Sequence, residues 1–511
     1  CDPSRVTRAA SAHVQPNSGQ DTEPMLALGE VLARVGKPGL AEPAASGAFG
    51  ALPSMRLEGD ASVHITDVTN DSREVRSGAI FCCVRGEQYD GHEFALDAVR
   101  RGATALLVDH VLDTIEVPQI IASDTRSAMG HLAAAFHDHP SSAMTIVGVT
   151  GTNGKTTTAH MLGAIMSQSG RRTSVLGTLS GTRTTPEAPE LQRTLAHERD
   201  RGTRAVVMEV SSHALALQRV AGMRFAAAIF TNLGHDHLDF HRTHDAYFAA
   251  KASLFTSNYT SRGVVNRDDA YGRKIADESN VAITSFGYGD AGDVRLEVGG
   301  SSFTWRGARI QCAVGGDFNV LNALAAATTA AELGISMEHI ATGLASMSQI
   351  PGRFERVQHS GDFAVLVDYA HTPEALRKVI AAARGLVIDG SRSGVTVVFG
   401  CGGDRDPSKR AEMGAAACEA DRIVVTSDNP RHESPEAIIE AIVTGIPQLH
   451  RSRLVVEPDR RRAIQRACAS ASTGDVVVIA GRGHESVQSV AGVEIPFNDA
   501  NVAREVMGVE Q

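Results

Sequence analysis

The chain has 511 residues, 42% of them hydrophobic and 21% charged, with a formal net charge of −10. That balance suits an ordinary globular protein with room for about three domains. No basic excess supports nucleic-acid binding, and no apolar run approaches the roughly 20 residues that span a bilayer, so neither nucleic acid nor membrane is expected as a partner. The 7 cysteines are scattered without C-x-x-C or zinc spacing and read as reduced thiols of a cytoplasmic protein.

Residues 1–47 are rich in Ala, Gly, Pro and Ser. They are expected to form a disordered tail with room for a short helix around Met25–Val35. Cys1 in first place is read as a fragment or misassigned start, not as a lipidated end. A small α/β domain is expected over 48–140, where VHITDVTNDSREVRSGAIFCCVRG alternates strand-like runs with turns and EFALDAVRRGATALLVD gives helix, Gly stop and strand. Two polar loops, around Ser72 and from Gly86 to Gly91, stand at strand ends; ligand contact and plain solvation are equally open there.

A central domain over 141–351 opens with AMTIVGVTGTNGKTTT. An apolar β-branched strand, a glycine turn, a lysine and a hydroxyl lead into the helix AHMLGAIMSQSG. This order suits a nucleoside triphosphate. Backbone N–H groups from Gly151 to Gly154 would close on phosphate oxygens, Lys155 would reach the β- and γ-phosphates, and the Thr156 hydroxyl could ligate Mg²⁺. The usual spacing asks for Gly at 149, where Val stands. The strand TRAVVMEVSSHAL delivers Glu209 at its C-terminal end, where a carboxylate beside a phosphate loop can hold Mg²⁺. Histidines 235, 237, 241 and 244 crowd the next strand-end loop. They match no zinc signature, and the neighbouring phosphate loop favours Mg²⁺ or Mn²⁺. Lys251, on the following helix, reads from the sequence alone as a solvated charge. Asn319 and Asn322 lie three apart on one face of an Ala-rich helix, where reading an adenine edge competes with capping or solvent exposure.

The last domain, 352–511, alternates strands and helices in a doubly wound pattern. Its polar loops follow strand C-termini: Asp368 to Pro373, Gly402 to Asp406, Asp428 to Arg431, and Gly481 to Glu485. Four charged loops at one sheet edge form a site. The fold class is therefore three-domain α/β: a small N-terminal domain, a central phosphate-loop domain with a parallel sheet, and a Rossmann-like C-terminal domain.

In order, GTNGKTTT, MEVSSHAL, TNLGHDHLD, GDFNVLNALAA, PGRFERV and VDYAHTPEAL resemble the motifs of the Mur ligases of peptidoglycan synthesis, over about residues 60 to 500. The shortened loop G-T-N-G-K-T is the form that family uses. GGDRD, DNPRHE and GRGHE resemble the branch that adds meso-diaminopimelate. The resemblance implies an ATP- and Mg²⁺-dependent enzyme, expected as a monomer, with UDP-N-acetylmuramoyl-L-alanyl-D-glutamate and meso-diaminopimelate as substrates. ATP would phosphorylate the γ-carboxylate of the D-Glu terminus, and the amine would attack the acyl phosphate. The ATP residues implied are Gly151, Thr152, Asn153, Gly154, Lys155, Thr156, Thr157, Asn319, Asn322, Arg353, Asp368 and His371. Thr156 and Glu209 would serve one Mg²⁺ and His237 a second. Lys251 falls where the family carries a carbamylated lysine, which overrides its reading as a solvated charge. Lys155, Glu209, His237 and Lys251 make the catalytic set. Ser72 falls where the UDP moiety binds, and Thr184, Thr185, Ser211 and Arg219 where the muramoyl dipeptide binds. Leu217 and His235 depart from the family pattern. Arg405, Asp428, Asn429, Pro430, Arg431, Gly481 and Glu485 match the diaminopimelate positions. Arg431, a planar fork, is suited to the carboxylate that lysine lacks. L-Lysine as the amine, a folylpolyglutamate synthetase-like ligase and a non-catalytic nucleotide-binding relative are the competing readings.

Overall fold

A computed structural model describes residues 25–37, 52–86, 89–181, 183–387 and 393–509. Cys1 and most of 1–47 lie outside the described residues, as do Glu87 and Gln88 of the Gly86–Gly91 loop. The described part of 1–47 falls where a short helix is expected, around Met25–Val35. Leu26–Ala27 pairs antiparallel with His64–Ile65, and the helix Leu28–Arg34 buries Leu28 and Val31. Two apolar side chains on one helical face dock this segment onto the first domain.

That domain carries a five-stranded sheet in the order Met55–Glu58, Gln119–Ala122, Ala105–Val108, Ala79–Cys82, Asp67–Thr69. The outermost pair, Met55–Glu58 with Gln119–Ala122, is antiparallel and the others are parallel. Ala79–Cys82 and Ala105–Val108 are buried at every position, as strands covered on both faces must be.

The central sheet is wholly parallel, in the order Ala282–Phe286, Arg262–Asn266, Ala227–Phe230, Thr145–Thr150, Ala205–Glu209, Thr173–Leu176. The first strand of the domain thus lies in the middle, between the third and the fourth. The order in which successive strands are laid down reverses about it, so its C-terminal loop opens into the crevice of a topological switch point. Helices Lys155–Gln168, Asp317–Glu332 and Met337–Ser346 cover one face; Ala188–Asp200, His244–Ala252 and Ala270–Glu278 cover the other. A three-stranded antiparallel sheet, Gly292–Glu297, Gly300–Trp305 and Ala308–Cys312, is added to this domain. The sequence reading passed over it. Its signal was present in the strict alternation of Gly300–Trp305, where Ser301, Phe303 and Trp305 point inward, and in the Gly-Gly and Arg-Gly turns.

The C-terminal sheet runs Glu355–Val357, Ala364–Asp368, Val476–Ala480, Val395–Phe399, Arg422–Val425, Leu454–Val456, with only the first strand antiparallel. The last parallel strand, Val476–Ala480, inserts between Ala364–Asp368 and Val395–Phe399, bringing their C-terminal loops side by side. One apolar cluster runs from Met161 and Ile165 through Val320 and Ala326 to Leu376 and Val379, so these two domains share a core.

The phosphate-loop helix is held by close backbone approach. A Cβ on Gly343 would stand 2.6 Å from the Ile165 Cα, and neither backbone can yield without moving a helix. Gly343→Ala is expected to lower stability by about 1–3 kcal/mol, measured by denaturant melts. An unchanged midpoint would show that the two helices are not in register as described.

Candidate active site

Thr145–Thr150 ends in the turn 151–154, and the helix begins at Lys155 with Gly154 as its cap at φ +84°. Glycine is required at both ends of this turn. A Cβ on Gly151 would meet the Thr231 hydroxyl at 1.9 Å, and one on Gly154 the Asn322 Oδ1 at 2.3 Å. The Thr156–Thr158 run is a poor helix opening by propensity. Its hydroxyls give the reason: Thr156 donates to Glu209 Oε1 at 3.0 Å and Thr158 to Asn322 Oδ1 at 3.3 Å. The Lys155 ammonium folds back over the loop, donating to the carbonyls of Gly151 at 3.0 Å and Thr152 at 2.8 Å. Burial draws it below the ordinary lysine range, opposed by Glu209 and Asp236. Asn322 Nδ2 donates to Asn319 Oδ1 at 2.9 Å, and Asn319 Nδ2 to the Gly315 carbonyl at 2.7 Å. Both amides are thus held in place by the protein, each with a second N–H left over, and both line the cavity described below.

Glu209 is 2% exposed. Besides Thr156 its carboxylate accepts from the Thr178 N–H at 2.9 Å and from the Thr178 hydroxyl at 3.3 Å. No cationic side chain pairs with it among the described residues. A buried carboxylate with hydroxyl partners and no counter-charge fits an oxygen-ligating divalent cation. His237 stands at φ +55° before the short helix Leu238–His241; its side chain is 42% exposed, and desolvation on its inner side draws the imidazole down to about 4 against the opposing charge of Asp236 at 3.4 Å. It is neutral at pH 7, the form that ligates metal. Lys251 is 1% exposed; its ammonium donates to the Gly151 carbonyl at 2.8 Å and lies 4.7 Å over the Tyr247 ring. Burial, then Lys155, push it well below the ordinary lysine value. The amine is thus biased toward its neutral, nucleophilic form behind the phosphate loop.

Two further groups of sequence-selected residues flank this centre. Thr185 donates to the Glu209 carbonyl at 2.9 Å and accepts from the Ser211 N–H at 3.1 Å. Arg219 reaches the Thr185 carbonyl at 3.1 Å and Glu187 at 2.7 Å, and the Thr184 and Thr178 hydroxyls are 3.2 Å apart. Ser72 stands apart in the turn after Asp67–Thr69; neighbouring Asp71 is lowered first by its hydrogen bond from Arg73 and least by the charge of Arg183. In the C-terminal domain, Asn429 Nδ2 donates to Glu485 Oε2 at 2.7 Å. Arg431, at φ +54°, donates to the Gly403 carbonyl at 2.6 Å. A Cβ on Gly481 would meet Asp428 Oδ2 at 2.5 Å, and the Pro430 carbonyl closes on Gly403. Arg405 is exposed, and its guanidinium makes no hydrogen bond or ion pair among the described residues.

A cavity of about 530 Å³ joins the two larger domains. Thr152 to Thr157, Glu209, His237, Asn319 and Asn322 line it from one side, and Arg353, Asp368 and His371 from the other. Gly151 and Lys251 sit behind that wall. Arg353 donates to the Thr156 hydroxyl at 2.9 Å and stacks 4.7 Å over the Tyr369 ring. The sequence reading missed Asn232, whose side-chain Oδ1 accepts the Asn153 N–H at 3.0 Å, and the wall residue Asp236. Both follow the strand Ala227–Phe230, the position at which such residues are to be sought. Burial raises Asp368 from 3.8 to about 6 against the N–H groups of Phe354 and Ala370. A carboxyl raised on folding contributes stability that is full below about pH 4 and is lost as pH rises through about 6. Between pH 4.5 and 7.5, wild type should therefore lose stability relative to Asp368→Asn by on the order of 1–2 kcal/mol. That is below the roughly 3 kcal/mol of the full displacement, because the carboxyl is only partly shielded. Denaturant melts with parallel pH profiles would refute it.

Family models match three stretches: "Mur ligase family, catalytic domain" over 64–137, "Mur ligase middle domain" over 149–330, and "Mur ligase, glutamate ligase domain" over 352–483. The chain is 42% identical over 476 residues, 88% of its length and 96% of the relative's, to a UDP-N-acetylmuramoyl-L-alanyl-D-glutamate–2,6-diaminopimelate ligase of Syntrophomonas wolfei. It is 44% identical over 470 residues, 87% of this chain and 94% of the other, to the ligase of the same name of Gloeobacter violaceus. A solved structure of a ligase of that name superposes with a TM-score of 0.63 at 31% identity, covering 87% of this chain and 95% of the other. With three matching domains in the same order and such identity over nearly nine-tenths of its length, the chain belongs to the Mur ligase family.

Proposed function

We propose that the protein is an ADP-forming ligase that joins meso-2,6-diaminopimelate to the D-Glu γ-carboxylate of UDP-N-acetylmuramoyl-L-alanyl-D-glutamate. The observation that carries this reading is the shared cavity. A phosphate loop from the central domain faces Arg353, Asp368 and His371 of the C-terminal domain, with the Asp428–Arg431 loop on that same domain. The unpaired cysteines among the described residues favour a cytoplasmic setting, and no described helix is long and apolar enough to cross a membrane.

In this reading Gly151 to Thr157 cradle ATP, with Lys155 turned from the loop carbonyls to the β- and γ-phosphates. Asn319, Asn322, Arg353, Asp368 and His371 border the nucleotide. Thr156, Glu209 and His237 would hold Mg²⁺, with Lys251 as its carbamate, formed when the neutral amine adds CO₂ and releases a proton. The metal supplies neutralisation of phosphate charge. Ser72, Thr184, Thr185, Ser211 and Arg219 position the UDP-linked dipeptide. Its carboxylate attacks the γ-phosphorus, ADP departs, and the diaminopimelate amine attacks the acyl carbon. A tetrahedral oxyanion forms and collapses as phosphate leaves, and Lys155 is the cation placed to stabilise it. Arg405, Asp428, Asn429, Pro430, Arg431, Gly481 and Glu485 hold the amino acid, with Arg431 on the carboxylate that L-lysine lacks. Lysine would leave that guanidinium unpaired, which supports discrimination of roughly 10⁴-fold.

Release of ADP with ATP, Mg²⁺ and the UDP-linked dipeptide is expected with meso-diaminopimelate and not with L-lysine. The opposite result keeps the ligase and discards the role of Arg431; no release with either discards the ligase. Arg431→Ala should raise the KM for diaminopimelate severely with less change in the KM for ATP. Lys155→Ala should lower kcat by roughly 10²–10³-fold with little change in the KM for diaminopimelate. Turnover independent of the uridine nucleotide would favour a folate-type ligase, against which the N-terminal domain and the Asp428–Arg431 loop speak.

A further inference from the structure

Beneath the Asp428–Arg431 loop lies a guanidinium that the reaction does not call for. The Arg482 side chain is 0% exposed, and among the described residues no carboxylate meets it at hydrogen-bonding distance, the nearest being Glu485 Oε2 at 3.8 Å. It donates to Asn429 Oδ1 at 2.7 Å and to the carbonyls of Val487 at 2.7 Å and Phe497 at 3.1 Å. Burying a charge with so little compensation is expensive, so its partners are informative. Asn429 Oδ1 accepts a second hydrogen bond, from the Ser489 N–H at 2.9 Å. Two donors fix that atom as the oxygen and exclude the flipped amide. The Asn429 NH₂ must then face Glu485, to which it donates at 2.7 Å.

We propose that Arg482 is a positioning residue for binding of the amino-acid substrate: by locking the Asn429 amide it holds the Glu485 carboxylate in place to receive the substrate's ammonium. The inference rests on the diaminopimelate reading of this loop. The same atoms tie in the hairpin Val487–Pro496, since the Arg431 N–H donates to the Ser489 carbonyl at 3.0 Å. Arg482 therefore joins three segments: the Asp428–Arg431 loop, the Gly481–Glu485 loop and the hairpin.

Arg482 also bears on the charge of Glu485, which burial and then Asp428 raise while Asn429, Arg482 and Arg431 lower it. Arg460 and Tyr369 are the other groups that feel it. An ammonium needs Glu485 ionised. Removing Arg482 therefore weakens binding twice, by freeing the amide and by raising the carboxyl.

The test is steady-state kinetics of the full-length enzyme for all three substrates, with the pH profile of kcat/KM for meso-diaminopimelate, in wild type, Arg482→Met and Arg482→Lys. Arg482→Met should raise the KM for diaminopimelate about 10- to 100-fold and move the acid limb to higher pH. The KM for ATP and for the UDP-linked dipeptide should stay within about twofold. Arg482→Lys, one cation without the fork, should lie between. A folded Arg482→Met with an unchanged diaminopimelate KM and acid limb overturns the proposal. So does an equal rise in all three KM values with the limb in place, which is the mark of a merely structural role. If Arg482→Met does not fold, Arg482→Lys decides by the same criteria. Wild-type turnover that ignores diaminopimelate overturns the functional reading and this one with it; turnover that needs diaminopimelate but ignores Arg482 overturns this one alone.

Discussion

The Glu209 carboxylate, buried at the end of a central strand with no cationic side chain in ion-pair contact among the described residues, is the constraint on which the surrounding structure depends. Such a group is tolerated only where every neighbour supplies a donor or stands clear. The Thr156 hydroxyl opens the phosphate-loop helix toward it and the Thr178 N–H turns to it. Position 177 must be glycine, since a Cβ there would stand 2.3 Å from Glu209 Oε1. Strand order does the rest. Placing Thr145–Thr150 beside Ala205–Glu209 in parallel register brings the loop after one strand to the carboxylate ending the other. Helix propensity is sacrificed at Thr156–Thr158 to serve this arrangement, the kind of local conflict that marks a functional site.

The C-terminal domain completes the centre through a short, tightly fitted connection. Gly352 has φ +65° and sits so close to the Gly483–His484 backbone that a Cβ would lie 2.1 Å from the His484 nitrogen. Arg353 follows at once and crosses to Thr156. The linker therefore touches both the phosphate loop and the loop that carries Glu485, so a movement of either domain is felt in both places. A second brace lies deeper: Arg460 and Asp499, both fully buried, pair at 2.7 Å, and Arg460 also donates to the carbonyls of Ser427 and Ala480. Ala480 ends one strand, and Ser427 lies two residues past the end of another, at the roots of the amino-acid loops. An ion pair so buried adds little net stability, but it fixes the separation of the two loops.

Much of this was legible from residue order, and the legible part has a common character. The phosphate loop, the strand-end position of Glu209 and the charged loops from Asp368 to Glu485 are contiguous stretches, each expressing its geometry locally through glycine, β-branched runs and helix caps. Three features were less legible. The short helix around Met25–Val35 was legible, and is Leu28–Arg34; its docking through Leu28 and Val31, with Leu26–Ala27 added as a strand, was not, in a segment rich in Ala, Gly and Pro. The antiparallel sheet from Gly292 to Cys312 alternates clearly but lies where the eye follows the phosphate-loop pattern. Lys251 is the sharpest case: its helix reads as exposed, and only packing against Gly151 and Tyr247 makes it a buried amine.

By itself the sequence determined the order of three α/β domains, the phosphate-loop chemistry, the Mur ligase resemblance and the loops that carry charge, because each is written in neighbours along the chain. The tertiary structure alone decided which charges are buried and which partners they find. Lys155 lies near Lys251, Arg353 on Thr156, and Arg482 on Asn429, pairs separated by from 53 to 197 residues where hydrogen-bonded. Protonation and orientation follow from desolvation and from hydrogen bonds between such distant groups, and no local pattern encodes either.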